Sequence, residues 1–145
     1  MAVCSKLKPD GAVTMFEYNA LDNVTKITDP QNGKVTKAYD KAGQLISTTD
    51  QLGNRTQYSY TSLGQIETIT DAMGNTMTYS YYPGGKIKSV TRSGGETESY
   101  EYDKAGNVEK IINAPGSVTS VTHDCLNRIV MITNPLGHNK HFNYL

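Results

Sequence analysis

Tryptophan is absent from this chain, net charge is zero, and no apolar run approaches the roughly 18 residues of a membrane-spanning helix. The fourteen basic and fourteen acidic side chains are scattered rather than striped, so the electrostatic footprint of a nucleic-acid binder is missing. The opening Met1-Ala-Val-Cys-Ser-Lys lacks the apolar core of a secretory signal. Cys4 and Cys125 do not form the evenly spaced framework that staples small secreted folds, and both read as ordinary thiols. No Gly/Pro/Ser-rich stretch marks an internal boundary. Leu, Ile, Val and Phe total only 28 of 145 residues, a level that implies disorder when net charge is high; here charge is balanced and ten tyrosines supply much of the buriable surface. Phosphate-binding glycine loops, nucleophile elbows and Cys-His-Asp groupings are also missing.

What the chain does have is a period. Tyr18, Tyr39, Tyr60, Tyr81 and Tyr102 stand 21 residues apart, and the series continues through His123, which replaces the tyrosine, to Tyr144. A strict period over nearly the whole sequence marks a repeat array, in which each unit packs on its neighbours.

Two residues before each tyrosine come Phe16, Lys37, Tyr58, Tyr79, Tyr100, Val121 and Phe142, with short or polar residues between, so this segment alternates as a half-buried strand whose aromatic face is the buried one. Four residues after the tyrosine come Asp22, Gly43, Gly64, Gly85, Gly106 and Asn127, the residue types that tolerate positive φ. Tyr39-Asp-Lys-Ala-Gly43 therefore reads as a type I turn opened by Asp, with Gly in the left-handed position of a bulge. An apolar slot follows, Val24, Leu45, Ile66, Ile87, Val108 and Ile129, and opens a β-branched second strand. Val24 and Ile27 are three apart, so either a bulge intervenes or both faces are modestly apolar.

Each second strand ends in Asp or Asn with Pro or Gly. The closing glycines Gly11, Gly33, Gly53, Gly74, Gly95, Gly116 and Gly137 are spaced 22, 20, 21, 21, 21 and 21, which places one inserted residue at Asp29-Pro-Gln-Asn-Gly33 and one compensating deletion before Tyr39. The expected fold is all-β: tandem β-hairpins of about 21 residues in a continuous, curved or spiralling antiparallel sheet of about thirteen strands. Residues 2–10 read as a partial repeat, 11–136 as six hairpins, and 137–145 as the first strand of a truncated seventh. Both ends thus fall inside repeats, and exposed sheet edges would favour self-association.

The motif Tyr-x-Tyr-Asp-x-x-Gly-Asn-(Leu/Val)-x-x-Ile-Thr-Asp resembles the YD repeat of the Rhs family, and Tyr100-Glu-Tyr-Asp-Lys-Ala-Gly-Asn-Val-Glu-Lys-Ile-Ile-Asn113 is the unit that matches it best. The resemblance covers essentially the whole chain. It implies a bacterial secreted or cell-surface protein whose hairpins build a hollow shell around a toxic C-terminal domain, as in Rhs effectors, shell components of insecticidal toxin complexes and wall-associated polymorphic toxins. The implied partners are neighbouring YD repeats of a longer parent and an encapsulated toxin domain. The autoproteolytic Asp-Pro-x-Gly motifs of that family do not carry over: Asp29-Pro-Gln-Asn-Gly33 has one residue too many, and Asn134-Pro-Leu-Gly137 begins with Asn.

No catalytic, cofactor-binding or metal-binding residue is assigned. His138 and His141 are three apart on a strand and face opposite sides, so they do not share a metal easily. His123 reads as a half-buried substitution. Asp40, Asp103 and Asp124 recur where Asp caps a turn, and Lys86, Lys88 and Arg92 read as a solvated face. The expected function is non-enzymatic: the tyrosine and glycine slots scaffold a shell, with stacked tyrosine rings forming ladders between hairpins. The alternative is a glycan-binding or adhesion module at a cell surface or wall, although short hairpin repeats of that kind generally depend on tryptophan.

Overall fold

The computed structural model describes residues 2–7 and 12–144. Gly11 and Leu145, which figure in the repeat scheme, lie outside the described residues. The described chain has no helix. It holds fourteen antiparallel strands rather than about thirteen, and it divides into two units, Met1–Thr76 and Met77–Leu145.

In the first unit β1 (Ala2–Leu7) pairs with β2 (Val13–Tyr18), and then come β3 (Val24–Thr28), β4 (Lys34–Tyr39), β5 (Leu45–Thr49), β6 (Arg55–Tyr60) and β7 (Ile66–Thr70). The second unit takes in all but the first residue of β8 (Thr76–Tyr81), then β9 (Ile87–Arg92), β10 (Thr97–Tyr102), β11 (Val108–Asn113), β12 (Ser117–His123), β13 (Ile129–Thr133) and β14 (Asn139–His141). Within each unit, neighbours in the sheet are neighbours in the chain. The hairpins are β2–β3, β4–β5, β6–β7, β8–β9, β10–β11 and β12–β13.

One five-residue reversal serves every hairpin. In Asp40–Gln44 the Gly43 N–H donates to the Asp40 carbonyl at 3.1 Å and the Asp40 N–H to the Gln44 carbonyl at 2.9 Å, with Gly43 at φ 82°. This is a type I turn closed by a left-handed residue. Links between hairpins use the same device, as where Asp50–Asn54 repeats both bonds and Gly53 sits at φ 87°, except after β11, where the Ala114–Pro115 bond is cis. Where Gly is missing, Asp22 and Asn127 take the left-handed position at φ 58° and 60°, as short polar side chains can.

This geometry corrects the glycine count. In the first link the left-handed residue is Asn32, at φ 64°, and the Asn32 N–H donates to the Asp29 carbonyl at 3.0 Å. Asn32 therefore occupies the slot of Gly53 and Gly74, each 21 residues on, and Gly33 occupies the slot of Asn54 and Asn75. There is neither an insertion nor a deletion. Gly33 has its own steric reason: a Cβ there would strike the Gln51 amide and the Asp29 carboxylate, which are hydrogen-bonded at 2.7 Å.

The register settles the question left open at Val24 and Ile27. Glu17 faces Lys26 but Tyr18 faces Val24, so Thr25 is an extra residue and a bulge intervenes. The same shift recurs beside Tyr39, Tyr60, Tyr81, Tyr102 and His123. Because paired residues share a face, the bulge puts Val24 and Ile27 on the same side as Phe16 and Tyr18. The opposite face carries polar pairs: Glu17 with Lys26, Ser59 with Thr68, Ser80 with Ser89, and Glu101 with Lys110. The aromatic face is half-buried rather than buried. Among the described residues Val90 alone is a buried apolar side chain, so stability rests on ladders, turns and cross-strand pairs more than on a thick core.

Candidate functional site

The feature that recurs most regularly is the joint between successive hairpins. The backbone ladder linking β3 to β4 runs from Thr28↔Lys34 to Lys26↔Thr36 and stops there, short of Tyr39 and Val24. A carbonyl beyond the ladder needs another donor. Tyr39 supplies it: its hydroxyl donates to the Val24 carbonyl at 2.9 Å, fifteen residues back and in the preceding hairpin. Tyr60 does the same to the Leu45 carbonyl at 2.8 Å, Tyr102 to Ile87 at 2.9 Å and Tyr144 to Ile129 at 2.8 Å. Each acceptor is the bulge residue that faces the preceding tyrosine slot.

These bonds replace the expected ring ladder. Successive series tyrosines sit two strands apart, about 10 Å, beyond the 4.5–7 Å range of ring pairs. Tyr82 and Tyr102 do touch, edge to face at 6.1 Å, but Tyr82 lies in a turn outside the series, and its hydroxyl donates to the Tyr100 carbonyl at 3.1 Å. Desolvation holds the Tyr60, Tyr81 and Tyr102 phenols above their ordinary value. Tyr100 is pushed up to about 12, chiefly by its hydrogen bond to the Glu98 carboxylate.

His123 breaks the series. Its Nδ1 lies 4.0 Å from Asp103 Oδ2 in the previous hairpin's turn, and its side chain is only 11% exposed. No phenol stands there for Val108, the equivalent acceptor fifteen residues back.

A second cross-hairpin contact escaped the sequence reading. In three hairpins the residue after the left-handed turn position reaches the next hairpin's turn: Gln44 Nε2 donates to the Gly64 carbonyl at 3.5 Å, Lys86 Nζ to Gly106 at 2.5 Å, and Asn107 Nδ2 to Asn127 Oδ1 at 2.9 Å. A polar slot at Asn23, Gln44, Gln65, Lys86, Asn107 and Arg128 was the available signal. Lys86 Nζ also lies 4.8 Å from the Tyr102 ring centroid, and Arg128 Cζ 4.5 Å from that of Tyr144. Gly43, Gly64 and Gly106 thus serve both a left-handed turn and close approach by a neighbour's side chain.

The turn-opening carboxylates cap. Asp40 Oδ1 accepts from the Ala42 and Gln44 N–H groups, Asp124 Oδ1 from Leu126 and Arg128, and Asp103 Oδ1 from Asn107. In the links, Asp29, Asp50 and Asp71 act alike. The Asp71 carboxyl is held below its ordinary value of 3.8, first by the Asn75 side chain and then by backbone N–H groups. Asp50 is lowered first by the Asn54 side chain, and Asp29, Asp103 and Asp124 first by the backbone N–H groups of Gly33, Asn107 and Arg128. A depressed carboxyl adds stability above the unfolded value, and that stability is lost as pH falls through the folded value. Acid unfolding is therefore expected below about pH 4. Asp71→Asn, which keeps an Oδ1 acceptor as Asn134 does, should lose less stability than the unaltered chain between about pH 4 and pH 2; urea unfolding across that range measures it, and identical acid limbs would contradict the capping role.

The other polar candidates do not converge. His138 sits in a turn, its N–H donating to Asn134 Oδ1 at 2.9 Å, and His141 faces Met131 across β13–β14. Lys86 crosses to the next turn, Lys88 is the exposed extra residue of a bulge, and Arg92 opens a link turn. Cys4 and Cys125 are exposed free thiols. No group of three or more His, Cys, Asp or Glu side chains able to hold a metal occurs among the described residues. An open groove of about 460 Å³ in the second unit is lined by Tyr82, Lys86, Glu101, Tyr102, Asp103 and Glu109. Three of its polar groups are engaged with neighbours outside the lining: Lys86 with Gly106, Glu101 with Lys110, and Asp103 with Asn107.

The family model described as Teneurin YD-shell matches residues 2–145. Among solved structures, the chain is similar to a component of the crystal structure of TcdB2-TccC3-Cdc42, with a TM-score of 0.74 and 22% identity over 88% of this chain and 7% of that one. It is likewise similar to a component of the Photorhabdus luminescens Tc holotoxin pore, with a TM-score of 0.73 and 22% identity over 88% and 7%. At that identity the likeness shows the fold, and the chain spans about 7% of the length of these relatives. No curated protein sequence matches.

Proposed function

The chain belongs to the Teneurin YD-shell family, and from that membership we propose that it is a non-enzymatic wall segment of a bacterial toxin-enclosing shell. Its work is mechanical: to extend a β-walled container, hairpin by hairpin, around a domain encoded elsewhere in a longer parent. The observation that carries this reading is the cross-hairpin bond from tyrosine hydroxyl to bulge carbonyl, present at Tyr39, Tyr60, Tyr102 and Tyr144. Such a bond makes these four joints alike, so a sheet can be lengthened without a new core. Secretion or surface display of the parent follows from the same reading, as does the partnership with an enclosed toxin domain. The tyrosine series Tyr18 to Tyr144 and the glycines Gly43, Gly64, Gly85 and Gly106 are its structural positions. Nothing in the geometry favours the glycan-binding alternative.

The test is the coding frame on either side of this segment, combined with particle imaging of the polypeptide it encodes. Further repeats followed by a closing segment and a C-terminal domain inside a hollow particle are expected. An open array ending in a wall anchor would overturn the container and favour adhesion.

A further inference from the structure

The first link differs from its counterparts in the order of two residues. After β5 and β7 a left-handed glycine precedes an asparagine, Gly53-Asn54 and Gly74-Asn75, whereas after β3 the left-handed Asn32 precedes Gly33. This is the one Asn-Gly pair in the sequence. The other left-handed asparagine among the described residues, Asn127, is followed by the bulky Arg128. Asparagine is a thermolabile residue. The reaction that consumes it needs the backbone nitrogen of the next residue to reach the side-chain amide carbon, an approach that a following side chain hinders and glycine leaves open. Asn32 is exposed, so water has access to it.

The folded link withholds that nitrogen. The Gly33 N–H donates to Asp29 Oδ1 at 2.8 Å, the Gly33 carbonyl accepts from the Asp29 N–H at 2.9 Å, and the Asn32 N–H donates to the Asp29 carbonyl at 3.0 Å. The cap is itself steadied from the next link, where Gln51 Nε2 donates to Asp29 Oδ2 at 2.7 Å. A nitrogen whose proton is held by a carboxylate must give up that charge-assisted bond before it can attack.

We propose that Asn32 is a site of spontaneous deamidation gated by the Asp29 cap, closed while the β3–β4 link is folded and released when the link opens. In the reaction the Gly33 nitrogen gives its proton to water and bonds to the Asn32 side-chain carbon, the C–NH2 bond breaks, and ammonia leaves with a proton. The resulting cyclic imide takes up one water, which opens it at the side-chain carbonyl to give aspartate or at the main-chain carbonyl to give isoaspartate. Water is the only co-reactant. The isoaspartate product carries one more main-chain carbon inside a five-residue reversal, so the bonds between Asp29 and residues 32 and 33 cannot re-form in register. Opening of this joint is thereby recorded irreversibly, at a rate that tracks the population of the open link. The inference stands apart from the shell reading.

Mass spectrometry of the tryptic peptide Ile27–Lys34, in which Asn32 is the sole asparagine, follows the reaction in the full chain incubated at neutral pH. Deamidation should be roughly tenfold or more slower in buffer than in guanidinium chloride, where the link is open. Asp29→Ala, which removes the cap, should speed the reaction in buffer several-fold. Asp29→Asn keeps an Oδ1 acceptor, creates no new site because Pro30 has no N–H, and should stay near the unaltered chain. Circular dichroism shows whether the Ala variant remains folded; if it does not, the buffer-against-denaturant comparison decides. Equal rates in buffer and denaturant, or a folded Asp29→Ala variant no faster than Asp29→Asn, would overturn the gate.

Discussion

Replacing Tyr60 with Ala should lower stability by roughly 2 to 4 kcal/mol. The ring is half-buried on the aromatic face, which places its loss in the lower part of the range for large-to-small changes. The lost hydroxyl adds about 1 kcal/mol, since the Leu45 carbonyl forfeits its donor. Tyr60→Phe separates the two contributions and should cost only the second. Because contacts in a repeat array are with nearest neighbours, the damage should concentrate at the joint between β5 and β6. Thermal unfolding gives the total, and hydrogen exchange of the neighbouring strands locates it. Equal values for the Ala and Phe variants would show that the ring contributes nothing.

The second large effect is expected at the left-handed turn glycines of a hairpin and of a link. Gly106→Ala and Gly53→Ala both force a Cβ onto a residue near φ 90°, which costs about 1 to 2 kcal/mol through backbone strain alone. The two sites differ in what else is there. A Cβ at Gly53 meets nothing within 4 Å, whereas at Gly106 it falls on the Lys86 ammonium. Lys86 would have to leave both the Gly106 carbonyl and the Tyr102 ring. Gly106→Ala should therefore be the more destabilising by about 1 kcal/mol, and the Lys86→Ala background should erase that difference. A Gly53→Ala variant as costly as Gly106→Ala would mean that backbone strain accounts for the whole effect.

Much of the hairpin plan was legible because it is written in side chains. Alternation around Tyr58 and Tyr60, the Asp-to-Gly spacing of the turns, and the apolar slot from Val24 to Ile129 are direct consequences of period-two strands and positive-φ chemistry. The bulge was legible only as a dilemma, since three-residue spacing at Val24 and Ile27 fits two explanations until register is known. The tyrosine hydroxyls found acceptors that no sequence displays, because backbone carbonyls carry no residue identity. That is why the series read as stacked rings rather than as donors.

Gly33 misled for a related reason. The closing slot was counted by glycine alone, but the residue equivalent to Gly53 and Gly74 is the left-handed Asn32, and Gly33 is needed for clearance from Gln51 and Asp29. A count of residues able to adopt positive φ, asparagine included, restores the period of 21. The Gln44, Lys86 and Asn107 contacts were missed because that slot mixes amide and ammonium side chains, and only their reach to the next turn unites them.

The claim on which the account turns is that hydroxyl-to-carbonyl bonds, and not ring stacking, join one hairpin to the next. The direct measurement is thermal and urea unfolding of the Tyr39→Phe, Tyr60→Phe, Tyr102→Phe, Tyr144→Phe chain, which keeps every ring and deletes four donors. A loss of roughly 2 to 6 kcal/mol relative to the unaltered chain is predicted from four forfeited bonds. Unchanged unfolding would contradict the account and return the joints to the rings.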